Sequence, residues 1–197
     1  FKNRTISLPL EADHYITEWH GVCNSLGNVS EISTEEQLRN LFTNGGSGYL
    51  ANDITIESSD SLKVSKNVDI CLNGNVLNLN NKCRISVSSN SVFNLYDCHS
   101  REHRFSETDG VWVLNDALSG DDVKHTINGG IITGGVSTNA GAVYINPGST
   151  FNMYGGNLVG NIANEKGGAV YISSSTFNMY GGGLIGNKTQ ERGGAIY

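Results

Sequence analysis

Apolar and polar residues alternate in short bursts along most of this chain, and Gly or Asn separates one burst from the next. In the C-terminal part, Phe151 and Met153 form one alternating pair, Leu158 follows, and Ala169 with Tyr171 forms another pair. Alternation with a period of two is typical of half-buried β-strands. No burst is long enough for a stable helix, so this part of the chain is predicted to form short strands joined by tight turns.

The bursts recur with a period of 26 residues. Ser-Thr-Phe-Asn-Met-Tyr-Gly-Gly occupies 149–156 and returns at 175–182, and Gly-Gly-Ala at 167–169 returns at 193–195. Three short strands and three turns per unit describe one coil of a parallel β-helix, in which the coils stack about 4.8 Å apart. One coil cannot bury its apolar faces alone, so neighbouring coils are predicted to cover them.

The same alternation, less regular, extends back to about residue 48. Ile54 and Ile56 form an early pair, and the segment 93–96 (Phe-Asn-Leu-Tyr) is another copy of Phe-Asn-Met-Tyr. Residues 48–197 are therefore predicted to form an all-β parallel β-helix, a solenoid of about five coils.

The composition fits that architecture. Gly accounts for 25 residues and Asn for 24, and both tolerate the positive φ angles that sharp corners need. One-coil spacing predicts amide ladders between Asn152 and Asn178 and between Asn161 and Asn187. The net charge is −6 with only 13 Lys and Arg, which argues against nucleic acid as a partner because that binding rests on clustered basic residues. No apolar run reaches the roughly eighteen residues of a membrane span.

One segment, residues 33–46, breaks the strand pattern and predicts a helix. Ser33 and Glu36 stand three residues apart, the spacing of a capping box. The apolar face would be formed by Leu38, Leu41 and Phe42. Because the open first coil of a β-helix leaves an apolar interior uncovered, this helix is predicted to cap it. Residues 1–32, with one alternating patch from His14 to Trp19, are predicted to be an N-terminal extension or the remnant of a preceding module.

Two motif orders resemble known repeat proteins. Gly-Asn followed by Gly-Gly-Ala-Val-Tyr-Ile, within 160–172, is similar to the repeat of chlamydial polymorphic outer-membrane proteins. Cys-Leu-Asn-Gly at 71–74, then Phe93 to Cys98, then the 26-residue repeats resemble large cell-surface proteins of Gram-positive gut bacteria. The resemblance covers about residues 48–197 and implies a pectate-lyase-like, right-handed β-helix on an exported, adhesin-like surface protein. It implies no reaction, because this superfold hosts lyases, hydrolases and adhesive stalks alike.

Residues 99–125 interrupt the coil pattern. They hold nine charged residues among 27, whereas the following 72 residues hold five. Insertions on β-helices lie on one face and often carry binding. The candidate ligand-binding residues of this segment are His99, Arg101, His103, Arg104, Trp112, Asp116, Asp121, Asp122 and His125. The alternative is a solvated excursion with a short hairpin, residues 111–114, that folds back to cover the flank of the coil.

The insertion also suggests metal and catalytic chemistry, which its spacing does not favour. His99 and His103 are four apart, a metal spacing only in a helix, and no third ligand is placed. Asp121, Asp122 and His125 invite comparison with pectin-cleaving β-helix enzymes, in which carboxylates act as acid and base or hold Ca²⁺. Adjacent Asp residues in a strand point to opposite faces, however, so this pair alone cannot flank one bond. No catalytic residue, metal site or cofactor is therefore predicted.

The cysteines leave two alternatives open. Cys23, Cys71, Cys83 and Cys98 include no Cys-x-x-Cys pair, so a structural zinc site is not predicted. An even number of cysteines allows disulfides in an exported protein. Cys71 and Cys98 are 27 residues apart, close to one coil, and form the candidate disulfide. The alternative is four free or buried thiols.

Tyrosines recur on consecutive coils. Tyr144, Tyr171 and Tyr197 form one predicted stack, and Tyr154 with Tyr180 forms another. An exposed aromatic ladder binds sugar rings by stacking, but the same spacing also lets the rings stack on one another.

These patterns predict a non-catalytic, extracellular cell-surface module for adhesion, for glycan or host-surface binding, or for display as a stalk, in a fragment of a larger exported protein. The expected partner is a glycan or a host or microbial surface protein, contacted around Trp112. The last coil stops within a repeat at Tyr197, so its strand edges are predicted to support end-to-end self-association. The alternative hypothesis is a polysaccharide-active lyase or glycoside hydrolase that uses the acidic insertion.

Overall fold

The computed structural model describes residues 29–197, so the patch from His14 to Trp19, Cys23 and most of the predicted N-terminal extension lie outside the described residues. The described chain is a parallel β-helix with one α-helix near its N-terminal end, which confirms the predicted fold class. Residues 46–197 form five coils, as predicted for 48–197, and one further coil makes about six. The additional coil is the first, which begins at residue 30, before the point to which the alternation could be traced.

The strands are short and are numbered in chain order. Coil 1 contains β1 (Ser30–Ile32) and helix α1 (Glu35–Asn44). Coil 2 contains β2 (Gly46–Leu50), β3 (Ile54–Thr55) and β4 (Leu62–Val64). Coil 3 contains β5 (Val68–Cys71), β6 (Val76–Asn78) and β7 (Ile85–Val87).

Coil 4 is longer because an insertion interrupts it. It begins with β8 (Val92–Tyr96). The insertion contains β9 (Glu102–Thr108), β10 (Val111–Leu114), a 3₁₀ turn (Gly120–Asp122) and β11 (His125–Asn128). The coil then continues with β12 (Ile131–Thr133), β13 (Val136–Asn139) and β14 (Val143–Ile145).

The last two coils carry the near-identical repeats. Coil 5 contains β15 (Thr150–Met153), β16 (Asn157–Val159), β17 (Ile162–Lys166) and β18 (Val170–Ile172). Coil 6 contains β19 (Thr176–Met179), β20 (Gly183–Ile185) and β21 (Lys188–Thr189).

Equivalent strands of successive coils pair in parallel and form the walls of the solenoid. Sheet A consists of β1, β2, β5, β8, β15 and β19; sheet B of β3, β6, β12, β16 and β20; sheet C of β4, β7, β14 and β18; and sheet D of β13, β17 and β21. In sheet A, Phe151 pairs in register with Phe93 and Phe177. The 26-residue period thus places like residues side by side.

The main core lies inside the coils, and α1 covers its first end. The rings of Phe93, Phe151 and Phe177 stack with 5.1 Å between neighbouring centroids. Three residues of α1 are buried: Leu38, Leu41 and Phe42. Phe42 meets Phe93 edge-on, with the ring centroids 5.6 Å apart. The helix therefore closes the apolar interior, as a cap must.

The capping box of α1 lies one residue later than predicted. Thr34, not Ser33, is the N-cap, and its hydroxyl accepts a hydrogen bond from the Gln37 N–H at 3.2 Å. The Gln37 side chain, not Glu36, accepts in return from the Thr34 N–H at 3.2 Å. Ser33 with Glu36 and Thr34 with Gln37 both fit the capping-box spacing, so the spacing does not distinguish them.

Both predicted amide ladders are present. Asn178 Nδ2 donates to Asn152 Oδ1 at 2.8 Å, and Asn152 Nδ2 donates to Asn94 Oδ1 at 2.7 Å. Asn161 Nδ2 donates to Asn187 Oδ1 at 3.0 Å. Each amide is thus satisfied by its counterpart in the neighbouring coil.

Candidate binding surface of the insertion

The insertion is placed at the corner between sheets A and B. Other coils cross this corner in three or four residues (51–53, 72–75 and 154–156), whereas coil 4 uses the 34 residues 97–130. The insertion thus comprises residues 97–130, which include the predicted segment 99–125.

The insertion folds into a three-stranded antiparallel sheet in the order β10, β9, β11. Asp109 and Gly110 turn the chain from β9 to β10, with φ angles of 53° and 73°. A two-residue turn with positive φ at both positions is the tight hairpin that Asp-Gly favours. That dipeptide was the sequence signal for this hairpin.

One face of the insertion sheet packs on the outer face of sheet B. Phe105 is fully buried there. Its neighbours from the insertion are Trp112, Leu114 and Ile127. Sheet B contributes Val76, Ile131, Val159 and Ile185. A second apolar core therefore lies outside the coils, and β10 folds back over their flank, as the covering-hairpin alternative describes.

Trp112 is packed on both faces of its ring. The His125 imidazole stacks on the indole with 3.6 Å between centroids and 8° between planes. On the other side lies Gly186, where an added Cβ would come within 2.4 Å of the indole. Gly186 also has a φ of 59°, which L side chains rarely adopt. The indole thus supports the hairpin, and its faces are not open to a sugar ring.

His103 ties the base of the insertion to coil 3. The side chain is fully buried, with Nδ1 3.0 Å from Asp116 Oδ2 and Nε2 3.0 Å from the Gly74 carbonyl oxygen. This side chain thus links Asp116 of the insertion to the backbone of coil 3.

Arg101 makes a second tie, to coil 2. Its guanidinium donates to both Asp53 carboxylate oxygens, at 2.7 and 2.8 Å, and lies 3.6 Å from Asp116. Burial of Asp53 acts to raise its pKa, but hydrogen bonds from Arg101 and from the Val76 N–H outweigh it and hold the pKa below its ordinary value. A bidentate Arg–carboxylate pair also fixes geometry, so Arg101 orients the base of the insertion.

Arg104 lies on the outer face of the insertion sheet. Its Nε donates to Glu102 Oε1 at 2.8 Å, and its Nη1 donates to the Leu118 carbonyl at 2.9 Å. The Arg104 N–H donates to Asp116 Oδ1 at 2.8 Å. Arg101, His103 and Arg104 therefore converge on one carboxylate.

Asp121 and Asp122, which invited the comparison with pectin-cleaving enzymes, lie apart from the contact that His125 makes. Both aspartates are exposed in the 3₁₀ turn, whereas His125 Nε2 lies 2.5 Å from Glu107 Oε2. His99 is separate as well, with Nδ1 3.4 Å from Cys98 Sγ.

Asp97 is a residue that sequence reasoning missed. Its carboxylate accepts from the Gly74 N–H at 2.7 Å and from the Gly130 N–H at 2.6 Å. Burial raises the pKa of Asp97, and these hydrogen bonds offset only part of that effect. Asp97 thus joins the two ends of the insertion to each other and to coil 3. The signal was an acidic residue directly where the coil pattern stops.

The predicted tyrosine stacks are present, and the rings cover one another. Ring centroids lie 5.0 Å apart for Tyr144 and Tyr171 and 5.6 Å apart for Tyr171 and Tyr197. Tyr154 and Tyr180 stack at 4.9 Å. Because stacked faces are occupied, most of these rings present edges and hydroxyls to the surface.

An uncharged cleft separates β10 from the corner of sheets B and D. It has a volume of about 370 Å³. Its lining includes three residues with amide side chains: Asn78, Asn80 and Asn81. The rest of the lining is mostly apolar and includes Trp112, Val136 and Ile162. Val113 of β10 is 56 % exposed.

The last coil exposes several large apolar side chains. They are Met179, Tyr180, Ile196 and Tyr197. End-to-end self-association through this coil stays a prediction.

Across residues 29–197, no group of three or more His, Cys, Asp or Glu side chains is arranged to hold a metal ion. Over the same residues, no helix has the length and apolarity to cross a membrane. Comparison with known proteins finds no matching family model, curated protein or solved structure.

Proposed function

We propose that this chain is a non-catalytic display and binding module of an exported surface protein, and that its ligand is a neutral glycan. The observation that carries the proposal is the uncharged cleft between β10 and the solenoid. Amide groups both donate to and accept from sugar hydroxyls. The apolar part of the lining, which includes Val136 and Ile162, suits the C–H face of a sugar ring, and the absence of charge from the lining favours a neutral ligand over an acidic one.

The charged residues of the insertion support a structural role over a catalytic one. Arg101 pairs with Asp53, His103 lies against Asp116, and His125 lies against Glu107. Glycosidases instead place two carboxyl groups roughly 5 to 10 Å apart across an open cleft. The lining of the described cleft contains amide and apolar groups and no carboxyl group.

The surface location in this proposal rests on the motif resemblance. Cys-Leu-Asn-Gly, the segment 93–98 and the 26-residue repeats follow the order found in large bacterial surface proteins. A solenoid adds little but length as coils are added, which suits a stalk that holds a binding surface away from a cell.

A glycan array with point variants tests the binding site. Val136→Arg and Asn81→Lys introduce long cations at the lining of the cleft and should weaken binding of neutral glycans about tenfold or more, or ~1.4 kcal/mol. Thr126→Arg is the matched control because Thr126 is exposed on β11, outside the cleft. Deletion of residues 99–125 is a poorer test, since it would uncover the apolar outer face of sheet B. Equal binding by all three variants and the unchanged chain would remove the cleft from the proposal.

Incubation with pectins, fructans and host glycans, with and without Ca²⁺, tests the enzyme alternative. We expect no change in the size of any of these polymers. Release of oligosaccharides that is lost in Asp116→Asn or Asp121→Asn would replace the binding proposal by a catalytic one.

A further inference from the structure

Two buried thiols meet where the insertion leaves the solenoid. Cys71 ends β5 and is fully buried, and Cys98, the second residue of the insertion, is 8 % exposed. Their Sγ atoms are 3.1 Å apart. The register explains this approach, because Cys71 pairs with Tyr96, two residues before Cys98.

We propose that Cys71 and Cys98 form a disulfide that fastens the base of the insertion to coil 3. The proposal is independent of the glycan site. It rests on the packing of the two sulfur atoms and on the position of His99, whose Nδ1 lies 3.4 Å from Cys98 Sγ. In the tautomer with Nδ1 unprotonated, this imidazole accepts the Cys98 proton and leaves a nucleophilic thiolate.

The oxidant is a small-molecule or protein disulfide. The Cys98 thiolate attacks one oxidant sulfur, forms a mixed disulfide and releases one thiolate, which takes the proton held by His99. Cys71 then attacks Cys98 Sγ, and its proton passes to the departing oxidant sulfur, which leaves as the second thiol. Two thiols are oxidised to one disulfide, and one oxidant disulfide is reduced to two thiols.

Cys83 provides an internal contrast. It is also buried, and burial raises the pKa of its thiol, which disfavours the reactive thiolate. Among residues 29–197, the contact between two cysteine sulfurs joins Cys71 to Cys98 and does not involve Cys83. Burial is therefore common to all three cysteines, and the short distance between the two sulfur atoms distinguishes Cys71 and Cys98.

The experiment uses the full chain, treated with oxidised glutathione, blocked with iodoacetamide and digested with trypsin. The four cysteines fall on four different tryptic peptides, 5–39, 67–82, 83–84 and 85–101. We expect 67–82 linked to 85–101, with Cys23 and Cys83 alkylated. Alkylation of both Cys71 and Cys98 after oxidation, or linkage of either to another cysteine, would overturn the proposal.

Variants separate the cross-link from its consequences. Cys83→Ser and Cys23→Ser should keep the linkage, Cys71→Ser should abolish it, and His99→Gln should slow its formation several-fold without changing the end point. The oxidised chain should melt roughly 5–10 °C above its reduced form, and Cys71→Ser should show no such difference. A linked chain that melts no higher than the reduced chain would contradict the fastening role.

Discussion

The coils and the insertion are held together by contacts of different kinds. In the coils, like residues meet one period apart: Phe151 contacts Phe177, and Asn152 bonds to Asn178. In the insertion, each contact joins unlike groups and occurs once, as between Trp112 and His125. Stability in the coils is therefore spread along a repeating column, whereas the insertion depends on a few individual ties. The coils should consequently tolerate changes at their end better than at their centre, and the insertion should open as a unit.

The largest effect is expected in the centre of the coil core. Phe151→Ala removes a fully buried ring that stacks between Phe93 and Phe177, and it should lower the free energy of unfolding by about 3–5 kcal/mol. Phe177→Ala is the matched change in coil 6, where the side chain is only partly buried, so it should cost less. Urea denaturation measures both. Equal losses would contradict the idea that position along the column decides the cost.

A smaller effect is expected where the hairpin rests on coil 6. Gly186→Ala forces a Cβ into the indole of Trp112 at a positive φ, and it should cost about 1–2 kcal/mol for the backbone conformation alone. In Gly186→Ala, amide hydrogen exchange should accelerate more in β10 than in sheet A. The matched control is Gly194→Ala, where an added Cβ meets nothing within 4 Å. Exchange that accelerates equally in both sheets would show that the insertion does not open separately.

The amide ladder should contribute less to the free energy of unfolding than the Phe151 ring or the contact between Gly186 and Trp112. Asn152→Ala removes one hydrogen bond to Asn94 and one from Asn178, and it should lower the unfolding free energy by about 1–2 kcal/mol. A double-mutant cycle with Asn178→Ala should show coupling, since the two amides bond directly. Additive losses would mean that water replaces the ladder without cost.

The smallest effect is expected from pH, because Asp53 and Asp97 keep some contact with solvent. Asp53 has a lowered pKa, so its contribution to stability is present above the unfolded-state pKa and is lost as pH falls through the folded-state pKa. Asp97 has a raised pKa, so its contribution is present below the unfolded-state pKa and is lost as pH rises through the folded-state value.

Unfolding midpoints between about pH 2 and pH 6 check these opposite signs. On acidification, the free energy of unfolding of the unchanged chain should fall relative to that of Asp53→Asn. Relative to that of Asp97→Asn, it should rise. Parallel pH profiles for the two variants would contradict this assignment.

Much of the coil structure could be predicted because period-2 alternation and the 26-residue repeat both report directly on which residues face inward. Tyr154 and Tyr180 were expected to stack on this basis, and they do. The covering hairpin was one of two alternatives for the insertion, and sheet B carried a further signal for an outer core. Strands of sheet B carry two adjacent apolar residues, such as Ile131 with Ile132. Adjacent residues face opposite sides of a strand, so one of each pair had to be covered from outside.

The candidate site was less predictable because its contacts join distant parts of the chain. Arg101 and Asp53 are 48 residues apart, and Lys188 and Asp109 are 79 apart. No local pattern encodes such pairs. The partners of these charged residues therefore depend on how the insertion sheet packs on the solenoid, which the sequence pattern does not specify.

The insertion runs along the axis of the solenoid and not only outward from it. Arg101 holds Asp53 in coil 2, and at the other end Lys188 Nζ of coil 6 donates to the Asp109 carbonyl at 2.6 Å. Solenoid units ordinarily unravel one at a time from an end, because each contacts only its neighbours. Because the insertion is fixed to coils 2 and 6, it changes that mechanical response. Under pulling force, coils 2 to 6 should hold together until the insertion detaches, and then extend in a single large step.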